Sequence, residues 1–251
     1  MLAGDVDYHR HGQGYANQRR TDPRIEAQVH AALGDARTII NVGAGAGSYE
    51  PSGRYVVAVE PSAAMRAQRP AGRVPALNAT AEQLPFDDDS FDAALASVTV
   101  HQWSDTVAGL RELRRVARGP VVVLTFDGDA LDLLWLAEYA PELIAAERRR
   151  YPALDLIASH IGATCEIQQV AVPIDCVDGF TEAFYARPER FLDAAVRRSQ
   201  SAWTFVDDAD EARAVEHLRR DLDSGAWDER HGHLRTQPEF AGSLRLLIGR
   251  P

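Results

Sequence analysis

The sequence predicts an α/β fold built on a mostly parallel β-sheet with helices on both faces. Short apolar runs, such as residues 39–42 and 56–59, are bounded by Gly and Pro, which suits strands buried on both faces. Segments with apolar residues at helical spacing alternate with these runs, and this repetition is typical of parallel sheets. The 251 residues, 45% of them hydrophobic, suffice for a sizeable core. We therefore expect residues 1–251 to form a single domain.

The first third of the chain supplies three predicted strands. A helix is predicted over residues 22–33, and the first strand follows over residues 37–42. A glycine-rich turn leads into the second strand, over residues 56–60, and a helix comes after that strand. A third strand is predicted near residues 74–77. The turn therefore joins two short apolar runs that we expect to be neighbouring buried strands.

The middle of the chain continues the alternation. A strand is predicted over residues 91–97, a helix over residues 105–117 and a fifth strand over residues 120–126. The apolar residues of this helix recur at helical spacing: Val107, Leu110, Leu113 and Val116. Such βαβ repetition predicts that these strands run parallel.

The last part of the chain is less regular. A long helix over residues 130–150, broken before Pro141, precedes a strand over residues 166–173, and the final strand spans residues 243–248. About seventy residues separate these last two strands, too many for an ordinary connection. We therefore predict a helical cap over residues 174–241. Its aromatic residues either shape a substrate pocket or join the cap to the sheet, and packing is the favoured interpretation.

The turn after the first strand carries glycines at positions 43, 45 and 47. Glycine lets the backbone approach a ligand closely and adopts dihedrals that a Cβ atom penalises. A dinucleotide fingerprint needs glycine where Ser48 stands, which disfavours a nicotinamide dehydrogenase. Glu60, at the end of the second strand, is suited to accept hydrogen bonds from two ribose hydroxyls. The two features together indicate a nucleotide-type ligand, although tight turns need glycine anyway and Glu60 before Pro61 also suits a helix N-terminus.

A more specific pattern, AExLPFxDxSFD, runs from Ala81 to Asp92. Together with the GxGxG turn it resembles the motifs of class I S-adenosylmethionine (SAM) dependent methyltransferases, in the UbiE-like branch that acts on small molecules. The resemblance covers residues 8 to 126. It implies a Rossmann-like, seven-stranded sheet and SAM as the cofactor.

The resemblance also implies which residues bind the cofactor. Thr80 and the backbone of Ala81 and Glu82 border the adenine. Two residues depart from the family pattern: Thr80 stands where Asp is frequent, and Asn41 stands where Asp or Glu is common. An amide still accepts a hydrogen bond but lacks the charge that strengthens it. The complete predicted set is Asn41, Gly43, Ala44, Gly45, Glu60, Pro61, Thr80, Ala81, Glu82, Ser97, Tyr15 and Arg19.

The N-terminal segment, residues 1–20, resembles the part of these enzymes that folds over the cofactor. Tyr15 and either Arg19 or Arg20 are expected near the methionine carboxylate, because a guanidinium group presents a planar fork that matches a carboxylate. A mobile basic terminus is the alternative.

The catalytic residue is sought just beyond the fourth strand, because strand ends surround the ligand crevice of such sheets. His101 is the candidate general base, since imidazole titrates near neutral pH and can take a proton from an attacking hydroxyl or amine. Trp103 is placed to face the substrate. The alternative is that His101 forms local hydrogen bonds and Trp103 packs on the following helix. Orientation of donor and acceptor alone can supply several kcal/mol.

The composition restricts the classes of partner and the kinds of site that we expect in this protein. The formal net charge is −10, and all 27 basic residues are Arg, which excludes lysine chemistry. A net acidic surface without a basic stripe disfavours nucleic acid and favours small-molecule substrates. Cys165 and Cys176 lack metal-ligand spacing, and the pair His231 and His233 lacks a third ligand, so we predict no metal site.

With neither a signal sequence nor an apolar run of about 18 residues, we expect a cytoplasmic protein without membrane contact. The sequence leaves the oligomeric state open.

The function expected from these observations is transfer of a methyl group from SAM to a small molecule, in secondary metabolism. The acceptor atom stays open. Two alternatives keep SAM as a ligand: a cyclase or rearrangement enzyme, and a non-catalytic sensor.

Overall fold

A computed structural model describes residues 19–251 of the chain, and the elements there follow the predicted order. The strands are β1 Thr38–Val42, β2 Tyr55–Val59, β3 Ala76–Leu77, β4 Ala93–Ser97, β5 Val121–Phe126, β6 Thr164–Gln169, β7 Val172–Pro173, β8 Glu239–Phe240 and β9 Leu244–Arg250. The α-helices are α1 Pro23–Ala32, α2 Ala63–Arg66, α3 Thr106–Val116, α4 Leu136–Tyr139, α5 Pro141–Arg150, α6 Leu154–Ile161, α7 Ala194–Arg198, α8 Asp208–Ser224 and α9 Ala226–His231.

Seven strands form the main sheet, in the order β3-β2-β1-β4-β5-β9-β6. β9 runs antiparallel to β5 and β6, and the other neighbouring strands are parallel. The predicted seven-stranded, mostly parallel sheet is therefore confirmed. From β1 the chain continues to β2 and β3 on one side, whereas β4 and β5 lie on the other. Such a switch point opens a crevice beyond the carboxyl ends of the strands.

The central strands are buried on both faces, as their continuous apolar runs predict. Ile39 of β1 and Leu95 of β4 face one layer, where they pack with α1, α4, α5 and the residues between β7 and β8. Ile40 of β1 faces the opposite layer, which contains α3 and α6. Successive strand residues point to opposite faces, so the sheet is covered by helices on both sides.

Helix α3 shows how the sequence sets these elements. Asp105 caps its N-terminus by accepting a hydrogen bond from the backbone N–H of Ala108 at 3.0 Å. Leu110, Leu113 and Val116 are fully buried against the sheet, as the helical spacing predicts. The predicted helix of residues 105–117 thus includes its two capping residues.

Four elements differ from their predictions. The first half of the predicted helix of residues 130–150 consists of a 3₁₀ helix, Gly128–Leu133, and the single turn of α4. The helix after β2 is a single turn, Ala63–Arg66. The predicted strand of residues 166–173 is divided, because β6 ends at Gln169 and β7 pairs instead with β8 in a separate two-stranded sheet. Helix α6, Leu154–Ile161, was not predicted. The break before Pro141 is confirmed, since Ala140 adopts a non-helical conformation, as residues before proline usually do.

The residues between β7 and β8 are mostly helical and contribute α7, α8, α9 and several short 3₁₀ helices. Phe191 packs against Trp135, with ring centroids 5.7 Å apart, and Trp227 packs against the same ring at 5.4 Å. These aromatic residues join the segment to the layer that carries α4, as the packing interpretation requires. Within the described part of the chain, no helix combines the length and the apolar character needed to cross a membrane.

Candidate functional site

A cavity of about 540 Å³ opens at the switch point of the sheet. Pockets that hold small ligands usually measure about 300–1,000 Å³. Its walls come from the glycine-rich turn, the end of β2, the loop after β3 and the residues after β4. We call it the first cavity. Among the described residues, the whole predicted cofactor set lines it: Asn41, Gly43, Ala44, Gly45, Glu60, Pro61, Thr80, Ala81, Glu82, Ser97 and Arg19. Tyr15 lies outside the described residues.

The glycine-rich turn is held tightly between β2 and the residues after β4. The backbone N–H groups of Gly43 and Ala44 donate to the carbonyl oxygen of Val59 at 2.9 and 3.0 Å. Gly43 has φ +68°, and a Cβ atom there would lie 2.0 Å from Oγ1 of Thr99. Glycine is therefore required at position 43 by both the backbone conformation and the close approach.

Glu60 is fixed in place at the end of β2. Its Oε2 accepts a hydrogen bond from the N–H of Gly45 at 2.9 Å, and its Oε1 accepts one from the N–H of Ser62 at 2.7 Å. Burial raises the pKa of Glu60, and these backbone hydrogen bonds oppose that rise. Each carboxylate oxygen has a second lone pair, so the group can still accept hydrogen bonds from a ligand in the first cavity.

Asn41 belongs to a buried network that the sequence did not predict. Its Nδ2 donates to Oε1 of Glu50 at 3.0 Å, and Arg69 contacts both oxygens of Glu50, at 2.7 and 2.8 Å. Arg69 also donates to the carbonyl oxygen of Gly45 at 3.1 Å. This network explains the amide at position 41, because an aspartate would place a second buried carboxylate beside Glu50. Oδ1 of Asn41 is buried without a hydrogen-bond partner in the described structure and lies on the cavity wall.

The loop after β3 forms the opposite wall. Oε1 of Glu82 accepts hydrogen bonds from the backbone N–H and the hydroxyl of Ser104, at 2.9 and 2.8 Å. This carboxylate therefore fixes the loop and leaves the backbone of Ala81 to line the cavity. Trp103 also lines the cavity, but a Cβ atom at Gly109 of α3 would lie 2.5 Å from its ring. Trp103 thus packs on the following helix, as the alternative interpretation of this residue held.

His101 lies on a second cavity, which adjoins the first and shares Arg19, Val98 and Gln102 with it. Val98 has φ +50°, a strained conformation for a β-branched residue, and it lines both cavities. His101 is buried, and its Nδ1 has no hydrogen-bond partner in the described structure. Burial, together with the charges of Arg150 and Arg19, lowers the pKa of His101 well below its usual value. The imidazole is therefore neutral at pH 7, and its Nε2 accepts a hydrogen bond from Nε2 of Gln102 at 3.4 Å.

Arg19 connects the first cavity to the segment between β7 and β8. Its Nε lies 2.5 Å from Oδ1 of the buried Asp178, and the hydroxyl of Tyr49 donates to Oδ2 of Asp178 at 2.7 Å. Sequence analysis missed Asp178, because nothing local marks a contact across 159 positions of the chain.

Comparison with known proteins agrees with this geometry. The family described as "Methyltransferase domain" matches residues 40–123. The chain is 37% identical over 100 residues to demethylmenaquinone methyltransferase from Mycolicibacterium paratuberculosis, a match of 38% of this chain and 44% of that protein. It is 40% identical over 65 residues to the ubiquinone/menaquinone biosynthesis C-methyltransferase UbiE from Citrifermentans bemidjiense, covering 25% of this chain and 28% of the relative. The chain thus spans less than half the length of these relatives.

A solved structure matches over nearly the whole chain. It is a candidate methyltransferase from an antibiotic biosynthesis pathway of Anabaena variabilis, with a TM-score of 0.86 and 29% sequence identity. The match covers 94% of this chain and all of that one, so the likeness includes the helical segment between β7 and β8.

Proposed function

We propose, from the premise that the chain is a class I SAM-dependent methyltransferase of the UbiE-like branch, that it methylates a small-molecule acceptor in secondary metabolism. The predicted family and its cofactor, SAM, are confirmed by the matched domain and the named relatives. A pathway in secondary metabolism is supported by the structural similarity to the Anabaena protein. We also propose a cytoplasmic location and no nucleic-acid partner.

The observation that carries the proposal is the fit of the first cavity to SAM. Glu60 would accept hydrogen bonds from the ribose hydroxyls. Each of its carboxylate oxygens is held in place by one backbone N–H and retains a second lone pair. The unpartnered Oδ1 of Asn41 would accept from the amino group of the methionine moiety, and Arg19 would lie near its carboxylate. SAM, when bound, supplies a methyl group on a good leaving group.

The second cavity is the proposed place of the acceptor. His101 lines it, and its neutral imidazole remains the candidate base that takes a proton from the acceptor. Phe180 and Gln200 reach the same cavity from residues 174–241, which we propose act as a cap over the acceptor within one domain of residues 1–251. Closing the site in this way would exclude water and orient the acceptor.

A transfer assay tests the proposal. The protein is incubated with methyl-labelled SAM and a panel of phenols, amines and carboxylic acids, and we expect label in at least one product. Binding of SAM without transfer to any acceptor would instead favour a cyclase or a sensor.

We expect Glu60→Ala to weaken SAM binding by about 1.5–3 kcal/mol, because hydrogen bonds to a charged acceptor are lost. Calorimetric titration measures this difference directly. Glu166→Ala, which removes an exposed carboxylate on β6, serves as the matched control and should leave the affinity unchanged. Equal affinity in both variants would exclude Glu60 from the site.

A further inference from the structure

The second cavity contains three polar groups whose hydrogen-bonding capacity is not used. Glu147 of α5 is only 8% exposed, and no hydrogen bond reaches its carboxylate within the described residues. Glu182 is 2% exposed, and its Oε2 is buried without a partner there. Nδ1 of His101 is also buried without a hydrogen-bond partner among the described residues. Buried polar atoms are almost always paired, so such a cluster on one cavity needs an explanation.

Two of the three groups, Glu147 and Glu182, are carboxylates, whose oxygens accept hydrogen bonds. Nε2 of His101 accepts a hydrogen bond from Nε2 of Gln102 at 3.4 Å, so the neutral imidazole carries its proton on Nδ1 and the two glutamates are the acceptors of this cavity. Oε1 of Glu182 already accepts from the backbone N–H of Ser243 at 2.7 Å, so only its Oε2 remains. A ligand that satisfies the two glutamates must therefore donate several hydrogen bonds.

The charges in this cavity favour a cation. Arg19 lines the cavity, but its Nε lies 2.5 Å from Oδ1 of Asp178, so the carboxylate of Asp178 balances its positive charge. Arg150, on the same helix as Glu147, and Arg19 oppose part of the negative charge of Glu147. Burial nonetheless raises the pKa of Glu147 to about 7, with the charge of Glu182 adding to the rise. A bound cation would stabilise the ionised form of this group.

The walls of the cavity suit a small cationic group. Phe126 lies 5.5 Å from Tyr151 and 5.4 Å from Phe180, measured between ring centroids, and all three rings line the cavity. Aromatic faces attract ammonium groups. The enclosed volume is about 40 Å³, enough for the amino end of a ligand but not for a large ring.

We propose that the second cavity binds the amino end of an amine, as its ammonium ion, through the carboxylates of Glu147 and Glu182. This inference rests on the proposed function, in which the molecule that carries this amino group is the methyl acceptor. Because an ammonium nitrogen has no lone pair, the bound ammonium anchors the acceptor and the methyl group goes to another of its atoms. The cavity adjoins the first one at Val98 and Gln102, so an amine bound there lies next to the proposed cofactor site.

Binding of butylamine, without SAM, tests the inference by calorimetry and by the shift in melting temperature. Butan-1-ol and butyrate have the same chain length with neutral and negative ends. We expect butylamine to bind at least tenfold more tightly than either. Preferential binding of butyrate or butan-1-ol, or no binding of butylamine, would overturn the inference.

The pH dependence of the butylamine titration shows whether Glu147 is the carboxylate that pairs with the ammonium group. Because Glu147 must be ionised to pair with ammonium and its pKa is about 7, we expect the affinity for butylamine to rise about tenfold between pH 6 and pH 8. The groups that face Glu147 are Arg150, Arg19, Glu182 and His101, and of these His101 is already neutral throughout this range.

Two variants complete the test. Glu147→Gln should lose both the tenfold preference and the pH dependence, whereas the exposed control Glu229→Gln should keep them. Glu147→Asp retains the charge and should keep the pH dependence even if its affinity falls. Unchanged butylamine binding in a folded Glu147→Gln variant would overturn the assignment.

A parallel titration with SAM separates this inference from the proposed function. SAM binding without butylamine binding would overturn the amine site and leave methyl transfer standing. Butylamine binding without SAM binding would overturn the proposed function and leave the amine site in place.

Discussion

We expect Gly43→Ala to lower the free energy of unfolding by about 2–5 kcal/mol and to abolish most SAM binding. Gly43 has φ +68°, and the left-handed conformation costs a non-glycine residue about 1–2 kcal/mol. The added Cβ would also lie 2.0 Å from Oγ1 of Thr99, and overpacking adds about 1–3 kcal/mol. Because the turn contacts both β2 and the residue after β4, relief of the clash must displace the wall of the first cavity.

Gly34→Ala is the matched control for this prediction. Gly34 has φ +55°, close to that of Gly43, but a Cβ atom there would meet no atom within 4 Å. Gly34→Ala should therefore lower the free energy of unfolding by about 1–2 kcal/mol, which is the cost of the left-handed conformation without a clash. It should retain full SAM affinity. Thermal unfolding and calorimetric titration measure both quantities. If the two variants behaved alike, the close approach of the turn to Thr99 would have no role in the cavity.

We expect Arg69→Met to destabilise the protein by about 3–5 kcal/mol, because it leaves the buried Glu50 without its partner. The side chains of Arg69 and Glu50 are 4% and 2% exposed, so solvent does not screen this ion pair. The substitution also removes the hydrogen bond from Arg69 to the carbonyl oxygen of Gly45, which helps to shape the glycine-rich turn. Denaturant unfolding measures the loss.

Two further variants show whether burial of the Arg69–Glu50 ion pair causes the loss of stability in Arg69→Met. Arg219→Met breaks an exposed ion pair with Glu216 and should cost less than about 1 kcal/mol. The double variant Glu50→Gln with Arg69→Met removes the uncompensated charge and should recover part of the stability lost in Arg69→Met. A loss in Arg69→Met as small as that in Arg219→Met would contradict the account of this network.

The sheet and the first cavity could be predicted because their signals are local. Residues 39–42, 56–59 and 121–126 are apolar runs interrupted only by Asn41 and Thr125, which is the pattern of strands buried on both faces. The glycine-rich turn and Glu60 lie within 18 residues of one another and are joined by a hydrogen bond between Gly45 and Glu60. Local motifs of this kind indicate from the sequence alone which residues line the first cavity.

The parts that escaped prediction depend on contacts between distant residues. Glu50 and Arg69 each precede a proline in a loop, and neither position shows that the two side chains meet in the interior. His101 is predicted as the candidate base just beyond the fourth strand, but nothing in the local sequence indicates that it lines a second cavity beside the first. Glu147 and Glu182 come from two segments that meet only after folding, so their shared cavity left no signal in the sequence.

A crystal structure of the protein with S-adenosylhomocysteine, the demethylated form of SAM, shows directly whether the first cavity is the cofactor site. We expect the ligand in the first cavity, with its ribose hydroxyls hydrogen-bonded to Glu60 and its amino acid end near Asn41. A ligand bound elsewhere, or a first cavity that stays empty when the ligand is at saturating concentration, would contradict this assignment.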